Sequence, residues 1–383
     1  MAWGADTETH GGTDVNWVII ALASLLLVRG IFVRQSKRAR WTVPVFVLVL
    51  VIGAGLTNVA MRRMGFVPDT DASRVAHQAI LTLQESLEDR DIGTIIFVDG
   101  GSYGARGVNG LRLEQELERK SGKSVGVVQM TLAGANHFER YTLVRTVFDG
   151  LTSAELASLK KRRVILLLEI NSGYDANPVN QLNAKNRFSE RLYGYLTPDN
   201  VWYAIRAMHS RDAQNDWQAD GEMVAHALMN FFNVGVRARM IRLGDVGFQT
   251  GHSPLQKASK GFTYRSVMSV LKARKPAAPI AEERWLDAIR TPRLQKVMRG
   301  TIDRIAYYAP PNLNGGYLAY AQVFCHSHPG DVCIDYADAD LLRSLDHKNM
   351  WYDRGHLLAA GAVRYTDWLA GKIDQQLLRE PTP

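Results

Sequence analysis

Residues 163–170 read RVILLLEI, and this segment decides the fold. Its apolar residues follow one another without alternating with polar ones, which is typical of a strand buried on both faces of a parallel sheet. Arg163–Ile170 is therefore predicted as an inner strand. Four further runs are predicted as strands of the same sheet: Thr94–Val98, Ser124–Met130, Arg304–Ala309 and Val332–Tyr336.

Segments with helical periodicity lie between and around these runs. The predicted helices outside the middle of the chain are Asp71–Arg90, Leu111–Lys120, Phe138–Phe148, Ser153–Lys161 and Leu357 to about Leu378. Because strands alternate with helices, the sequence predicts βαβ units and an α/β fold with a five-stranded parallel sheet. Helices on both faces would make it a doubly wound three-layer sandwich, in which ligands bind beyond the carboxyl ends of the strands.

The strand pattern is interrupted between about residues 175 and 300. Helical patterns take its place there, at Gln181–Tyr195, Asn200–His209, Glu222–Leu243, Tyr264–Ala273 and Glu283–Arg299. We therefore predict a helical insertion within the α/β domain.

The N-terminal region of the 383-residue chain is predicted to be a membrane anchor. Two apolar stretches, Trp17–Val33 and Val43–Ala60, are each about as long as the roughly 17–25 residues that cross a bilayer. A cleavable signal peptide is disfavoured for the first stretch, because it lacks a basic leader and a small-residue cleavage site. The alternative to two spans is one span with an interfacial helix. A mean hydropathy of −0.15 excludes a polytopic membrane protein.

The charge distribution predicts the orientation of this hairpin. The net charge is +8, and residues 1–63 contribute half of it, with seven Lys and Arg against three Asp and Glu. Four of these cations, Arg34, Lys37, Arg38 and Arg40, lie between the two stretches, so the short loop is predicted to be cytoplasmic. Residues 64–383 would then form an extracytoplasmic domain. The membrane is the expected partner of the basic excess, and nucleic-acid binding is not indicated.

Two cysteines, Cys325 and Cys333, enclose a short polar loop. In an oxidising compartment such a pair is typical of a disulfide. The intervening histidines leave a zinc site as the alternative, although the spacing fits no common zinc pattern.

Two distant segments carry the residues of a nucleophilic site. Ser102 follows the first strand of the sheet within a glycine-rich turn, DGGSYGARG, which can expose a serine hydroxyl beside free backbone N–H groups. Before the last helix, the sequence WYDRGHL places Asp353 three residues ahead of His356. A histidine can accept the serine proton, and a carboxylate can orient the imidazole. Ser172 is a weaker alternative nucleophile.

The serine turn and the C-terminal Asp-x-x-His resemble the SGNH (GDSL) hydrolase superfamily, over residues 94–171 and 304–375. The resemblance implies a flavodoxin-like fold, with Ser102 as nucleophile, His356 as base and Asp353 as its orienting acid. It also implies an oxyanion hole from Gly134 after the second strand and Asn171 after the third, with Asn136 as the alternative amide. The usual Gly-Asp-Ser is Gly-Gly-Ser here, and Gly-x-Asn-Asp is absent around Asn171.

These departures and the anchor make the chain more similar to membrane-tethered SGNH-like O-acyltransferases, such as the teichoic-acid D-alanine transfer protein and the alginate and cellulose acetylation proteins. The similarity implies O-acylation, with acetyl as the expected group, of an extracytoplasmic polysaccharide beside a membrane-bound O-acyltransferase that exports the acyl group. No metal or other cofactor is expected. An anchored carbohydrate esterase or lipase is the alternative, and a non-catalytic scaffold subunit is a third hypothesis. The arginines at 237, 239 and 242 offer contacts for an anionic polymer.

Overall fold

The computed structural model describes residues 64–135, 137–170, 240–247, 249–272 and 294–379, together with scattered positions between 45 and 61. The strands are β1 (Phe66–Pro68), β2 (Thr94–Gly100), β3 (Val125–Thr131), β4 (Arg163–Glu169), β5 (Met240–Arg242), β6 (Arg304–Tyr308) and β7 (Val332–Ile334). The helices are α1 (Asp71–Glu88), α2 (Ser102–Gly107), α3 (Gly110–Ser121), α4 (His137–Asp149), α5 (Ser153–Leu159), α6 (Val267–Lys272), α7 (Gly315–Ser327), α8 (Ala339–Ser344) and α9 (Ala359–Ile373).

Five strands form one parallel sheet in the order β3-β2-β4-β6-β7. This confirms the predicted α/β class and parallel sheet, and all five predicted strands belong to it. In this order β2 lies between β3 and β4, and the chain runs from β2 to β3 on one side and then back to β4 on the other. The crevice where the chain direction reverses lies at the carboxyl end of β2, which is the usual ligand position in such sheets.

The inner strands are apolar because helices cover both faces of the sheet. Every residue of β2 after Thr94 and every residue of β4 after Arg163 is buried. Helix α1 contacts α4 and α5, whereas α3 packs against α9 and β3. The chain crosses from β2 to β3 in one direction and from β3 to β4 in the other. Because both crossovers are right-handed, these two groups of helices lie on opposite faces of the sheet.

Two short strands form a separate ribbon. Strand β1 pairs antiparallel with β5, with Val67 opposite Ile241. The predicted helix Glu222–Leu243 is therefore wrong over Met240–Arg242, where extended backbone makes non-local hydrogen bonds with a strand more than 170 residues earlier in the chain. Residues 246–266 are also largely without helix. The other predicted insertion helices before residue 240 lie outside the described residues.

The two cysteines form a disulfide between the last turn of α7 and β7. This confirms the predicted pairing over the zinc alternative. No cluster of His, Cys, Asp and Glu in the described ranges has the arrangement of a metal site.

The first predicted span, Trp17–Val33, lies outside the described residues, and only scattered positions of Val43–Ala60 are described. Within the described part of the chain, no helix combines the length and the apolar character that a membrane crossing requires.

Candidate active site

Ser102 is the first residue of α2 and lies just beyond the carboxyl end of β2. The turn is tight because large side chains occupy the space beside its glycines. A Cβ atom on Gly100 would lie 2.5 Å from Glu169 Oε2 and 2.7 Å from Tyr308 Oη, and Gly104 faces the same two groups. The glycines thus let the end of β2 and the start of α2 approach the end of β4 closely.

The structure brings Ser102, His356 and Asp353 together, although 254 residues separate the serine from the histidine. His356 Nε2 lies 3.0 Å from Ser102 Oγ. On the other side of the ring, His356 Nδ1 lies 2.9 Å from Asp353 Oδ1 and 3.0 Å from Oδ2. The histidine can therefore accept the serine proton at Nε2 while Asp353 accepts the Nδ1 proton.

The loop before α9 gives Asp353 its orientation. The backbone N–H groups of Gly355 and His356 donate to Asp353 Oδ1 over 2.7 Å and 2.8 Å. Burial alone would raise the pKa of Asp353, but hydrogen bonds from the His356 ring and from these N–H groups hold it below its ordinary value. Asp353 therefore stays ionised at neutral pH and stabilises an imidazolium.

Two aromatic rings flank the imidazole of His356. The Tyr103 ring centroid lies 5.1 Å from that of His356, and the Tyr352 centroid lies 6.5 Å away in an edge arrangement. Tyr103 also packs on Tyr317, at 5.4 Å between centroids. These contacts limit the rotation of the histidine ring.

A buried carboxylate supports the turn from below. Glu169 Oε2 accepts the backbone N–H of Gly101 at 2.9 Å and that of Gly104 at 2.6 Å, on either side of Ser102. Burial raises the pKa of Glu169 to about 7, against the opposing effects of Arg140 and these two N–H groups. Glu169 therefore changes protonation near neutral pH while it holds the serine turn.

A buried ion pair lies beside this carboxylate. Arg140 on α4 donates through Nη2 to Asp99 Oδ2 at 2.5 Å and through Nε at 3.0 Å, and both side chains are almost fully buried. Tyr308 Oη donates to the carbonyl of Asp99. Glu169, Asp99 and Arg140 are not among the site residues that the sequence predicts. The sequence does carry a sign of their role, because Asp99 and Glu169 are acidic residues at the ends of otherwise apolar strands.

Gly134 lies after β3, in a segment that is tied to the serine turn. The N–H of Leu132 donates to the Gly100 carbonyl over 2.9 Å, and Gly134 has a positive φ of 70°, which favours glycine. Within the described ranges, neither the Ser102 nor the Gly134 N–H donates to a protein acceptor. Both N–H groups can therefore serve a ligand. The amide candidates Asn136 and Asn171, and the alternative nucleophile Ser172, lie outside the described residues.

Residues 249–259, which we call the strap, connect the serine helix to the histidine loop. Thr131 Oγ1 donates to the Gly251 carbonyl, and the N–H of Ser253 donates to the Ala105 carbonyl, each over 2.8 Å. At the far end, the N–H of Ser259 donates to the carbonyl of Tyr352 over 2.8 Å. The strap belongs to the region predicted as a helical insertion, and it is hydrogen-bonded to both segments that carry the triad.

Comparison with known proteins finds no family model that matches the sequence and no curated protein that is significantly similar to it.

Proposed function

We propose that the chain is a membrane-anchored O-acyltransferase of the SGNH type that transfers an acyl group, most simply acetyl, through Ser102 to an extracytoplasmic polysaccharide. The observation that carries the proposal is the continuous hydrogen-bonded path from Ser102 Oγ through His356 to Asp353. Its position at the carboxyl end of β2, where the chain direction reverses and α/β sheets bind ligands, also supports it.

The reaction follows from this geometry in two halves. As His356 Nε2 accepts its proton, Ser102 Oγ attacks the carbonyl carbon of the acyl donor, and the leaving group then departs with that proton. A sugar hydroxyl attacks the acyl-serine in the second half and gives its proton to His356, which passes that proton to Ser102 Oγ as the acyl–serine bond breaks. Asp353 stabilises the imidazolium in both halves without itself becoming protonated.

The tetrahedral intermediates carry a negative oxygen that needs hydrogen-bond donors. The N–H groups of Ser102 and Gly134 are the proposed donors, with the amide of Asn171 or Asn136 as a third. Each such donor contributes about 3 kcal/mol to transition-state stabilisation in other acyl-transfer enzymes.

The membrane anchor belongs to the same proposal. Phe46, Val49 and Leu56, within the second predicted span, are 49%, 60% and 65% exposed, so protein packing does not account for their apolar character. A lipid environment does. We propose that the hairpin docks on a membrane-bound O-acyltransferase, which delivers the acyl group to Ser102 at the outer surface of the bacterial inner membrane.

Hydrolysis is the second candidate function, because the same residues can transfer the acyl group to water instead of a sugar hydroxyl. The side chains of His356 and Asp353 are 24% and 35% exposed, so water reaches the site. A partition experiment separates the two functions: purified full-length protein receives 4-nitrophenyl acetate with an oligosaccharide acceptor, and acetylated sugar is measured against free acetate. Acetyl-oligosaccharide that depends on both Ser102 and His356 supports transfer. Acetate as the only product, at every acceptor concentration, supports the esterase.

The partner is tested separately. The full-length chain is expected to co-purify from detergent with the membrane-bound acyltransferase, and a variant with an unrelated single-span anchor is expected to lose polymer modification. Full modification by the swapped variant, without co-purification, contradicts docking. A Ser102→Ala protein that restores full modification favours the scaffold hypothesis.

A further inference from the structure

Arg106 lies one helical turn after Ser102 on α2, on the same face of the helix. Helical side chains lean toward the N-terminus of their helix, which directs this guanidinium toward the serine end of α2. The side chain is half-buried under the strap, where Nη1 donates to Ser253 Oγ over 2.5 Å and to the Ser253 carbonyl. Arg106 is thus a cation held between the serine helix and the strap.

No carboxylate of the described residues pairs with Arg106. Other arginines in these ranges do pair with an acid: for example, Arg112 pairs with Asp367 and Arg140 with Asp99. Within the same ranges, Arg106 donates only to the neutral groups of Ser253. A half-buried guanidinium without a counter-charge is unfavourable, because it has lost part of its hydration and gained no ion pair.

The titratable side chain of the strap beside Arg106 does not neutralise its charge. Burial lowers the pKa of Arg106, and the nearby Tyr352 phenol partly opposes this change. The pKa of His252 on the strap is lowered first by burial and further by the Arg106 charge, so this imidazole carries no charge at pH 7. An arginine nevertheless remains protonated in proteins, so Arg106 keeps its positive charge.

Tyr352 connects this cation to the triad. It directly precedes Asp353, and its ring contacts that of His356. The Arg106 guanidinium therefore lies between the serine helix, the strap and the histidine loop. Its Nε and Nη2 edge has no acceptor within the described residues, and this edge matches a planar carboxylate in a two-point hydrogen bond.

We propose that Arg106 forms an anion-binding subsite, and that the substrate reacting at Ser102 carries a carboxylate within reach of it. The carboxylate belongs either to the acyl group, as in a succinyl ester, or to the acceptor, as in a uronic-acid polymer. This inference rests on the proposed function for its reaction, but the binding of a carboxylate to Arg106 is measured independently of catalysis.

Two pairs of probes distinguish the sources. For the acyl group, 4-nitrophenyl acetate is compared with the 4-nitrophenyl half-ester of succinic acid. For the acceptor, acetyl transfer to cellohexaose is compared with transfer to hexagalacturonate. Arg106→Gln is expected to lower kcat/KM for the anionic member of one pair about tenfold or more, and to change the neutral member less than about twofold. A tenfold loss corresponds to about 1.4 kcal/mol. Arg106→Lys is expected to recover part of the loss.

Two variants separate an anion site from a structural link to the strap. Ser253→Ala removes one acceptor of Arg106 and retains the cation, so it is expected to keep the preference for the anionic probe. Arg119→Gln removes an exposed cation that pairs with Glu116, and it is expected to change neither member of either pair. Equal losses on neutral and anionic probes in Arg106→Gln would show that Arg106 only holds the strap.

Equilibrium binding of succinate and hexagalacturonate to the full-length protein completes the test. If the protein binds these anions, Arg106→Gln abolishes the binding and no ester reacts, the result supports the subsite and contradicts the proposed function. If esters turn over at Ser102 but Arg106→Gln changes neither turnover nor anion binding, the result overturns the subsite and leaves the proposed function standing.

Discussion

At the residue scale, the site separates into side chains that react and side chains that hold them in place. Ser102 and His356 are in direct contact, and Asp353 orients the histidine from the opposite side. Glu169 does not touch the reacting atoms. It acts on the backbone on both sides of Ser102, and it is therefore a positioning residue.

The triad predicts a graded loss of activity. Ser102→Ala and His356→Ala are expected to remove acyl transfer, because each deletes one partner of the proton transfer between Ser102 Oγ and His356 Nε2. In Asp353→Asn, the oxygen can still accept the two backbone N–H groups, but the amide NH₂ then faces His356 Nδ1. That contact favours the tautomer with its proton on Nε2, which cannot accept from serine, so a loss of about 10⁴-fold in kcat is expected.

Steady-state kinetics with 4-nitrophenyl acetate measures these losses. Asp340→Asn, at a side chain that is 88% exposed, is the matched control and should retain full activity. An Asp353→Asn enzyme within a few-fold of wild type would remove Asp353 from the mechanism.

Glu169 predicts a pH-dependent stability. Its pKa is raised from the ordinary value of 4.5 to about 7 by burial, so the folded state binds this proton more tightly than the unfolded state. The resulting stabilisation is complete below about pH 4.5 and is lost as the pH rises through 7. Relative to Glu169→Gln, the wild-type protein should lose free energy of unfolding between pH 5 and pH 7.5.

Thermal and denaturant unfolding of the two proteins at several pH values measures this difference. Glutamine has nearly the same shape and an oxygen that can accept both N–H groups. The difference between the two proteins therefore reports the effect of Glu169 ionisation on stability. Parallel pH curves for the two proteins would show that Glu169 does not titrate in this range.

At the element scale, the sequence predicts the strands well because their causes are local. RVILLLEI is apolar along its whole length, and the structure buries every residue of β4 after the first. Helix α3 was predicted within one residue of each end, since an asparagine cap precedes it and Gly122 in a left-handed conformation follows it.

The elements that the sequence did not predict depend on distant contacts. Strand β5 has only three residues and forms because β1 offers a partner. The strap has no periodicity, and its shape comes from hydrogen bonds to α2, β3 and the histidine loop. Likewise, the role of Glu169 appears only when β4 and the serine turn meet in the sheet.

The serine turn predicts a steric requirement for glycine on α2. In Gly104→Ala, the new Cβ would lie 2.5 Å from Glu169 Oε2, where both groups are buried. Either the carboxylate or the serine turn must move, and overpacking of this kind costs about 1–3 kcal/mol. We expect a loss of stability in this range together with reduced turnover.

Gly93→Ala is the matched control, because a Cβ there meets no atom within 4 Å. Denaturant unfolding should show a change below about 0.5 kcal/mol for this variant. Equal stabilities for the two variants would contradict the close packing beneath the serine turn.

At the scale of the whole molecule, a parallel α/β domain follows a predicted membrane hairpin. The disulfide between Cys325 and Cys333 agrees with an oxidising compartment. It also leaves no free cysteine in the chain, so that single introduced cysteines can be labelled without background.

This absence of free thiols makes the topology directly testable. A membrane-impermeant maleimide applied to bacterial spheroplasts should label Thr7→Cys and Lys123→Cys, since both are predicted to lie outside. Ser36→Cys, in the basic loop, should react only after the membrane is permeabilised. Protection of Lys123→Cys in intact spheroplasts would reverse the orientation and place the candidate site in the cytoplasm.

The central claim is that Ser102 is the nucleophile that His356 activates. The most direct measurement is covalent labelling of the full-length protein with a fluorophosphonate, followed by peptide mass spectrometry. The account predicts a single modified peptide carrying the label on Ser102, no label in Ser102→Ala, and much slower labelling in His356→Ala. Undiminished labelling of Ser102→Ala, or a label on Ser172 or Ser253 in the wild-type protein, would contradict it.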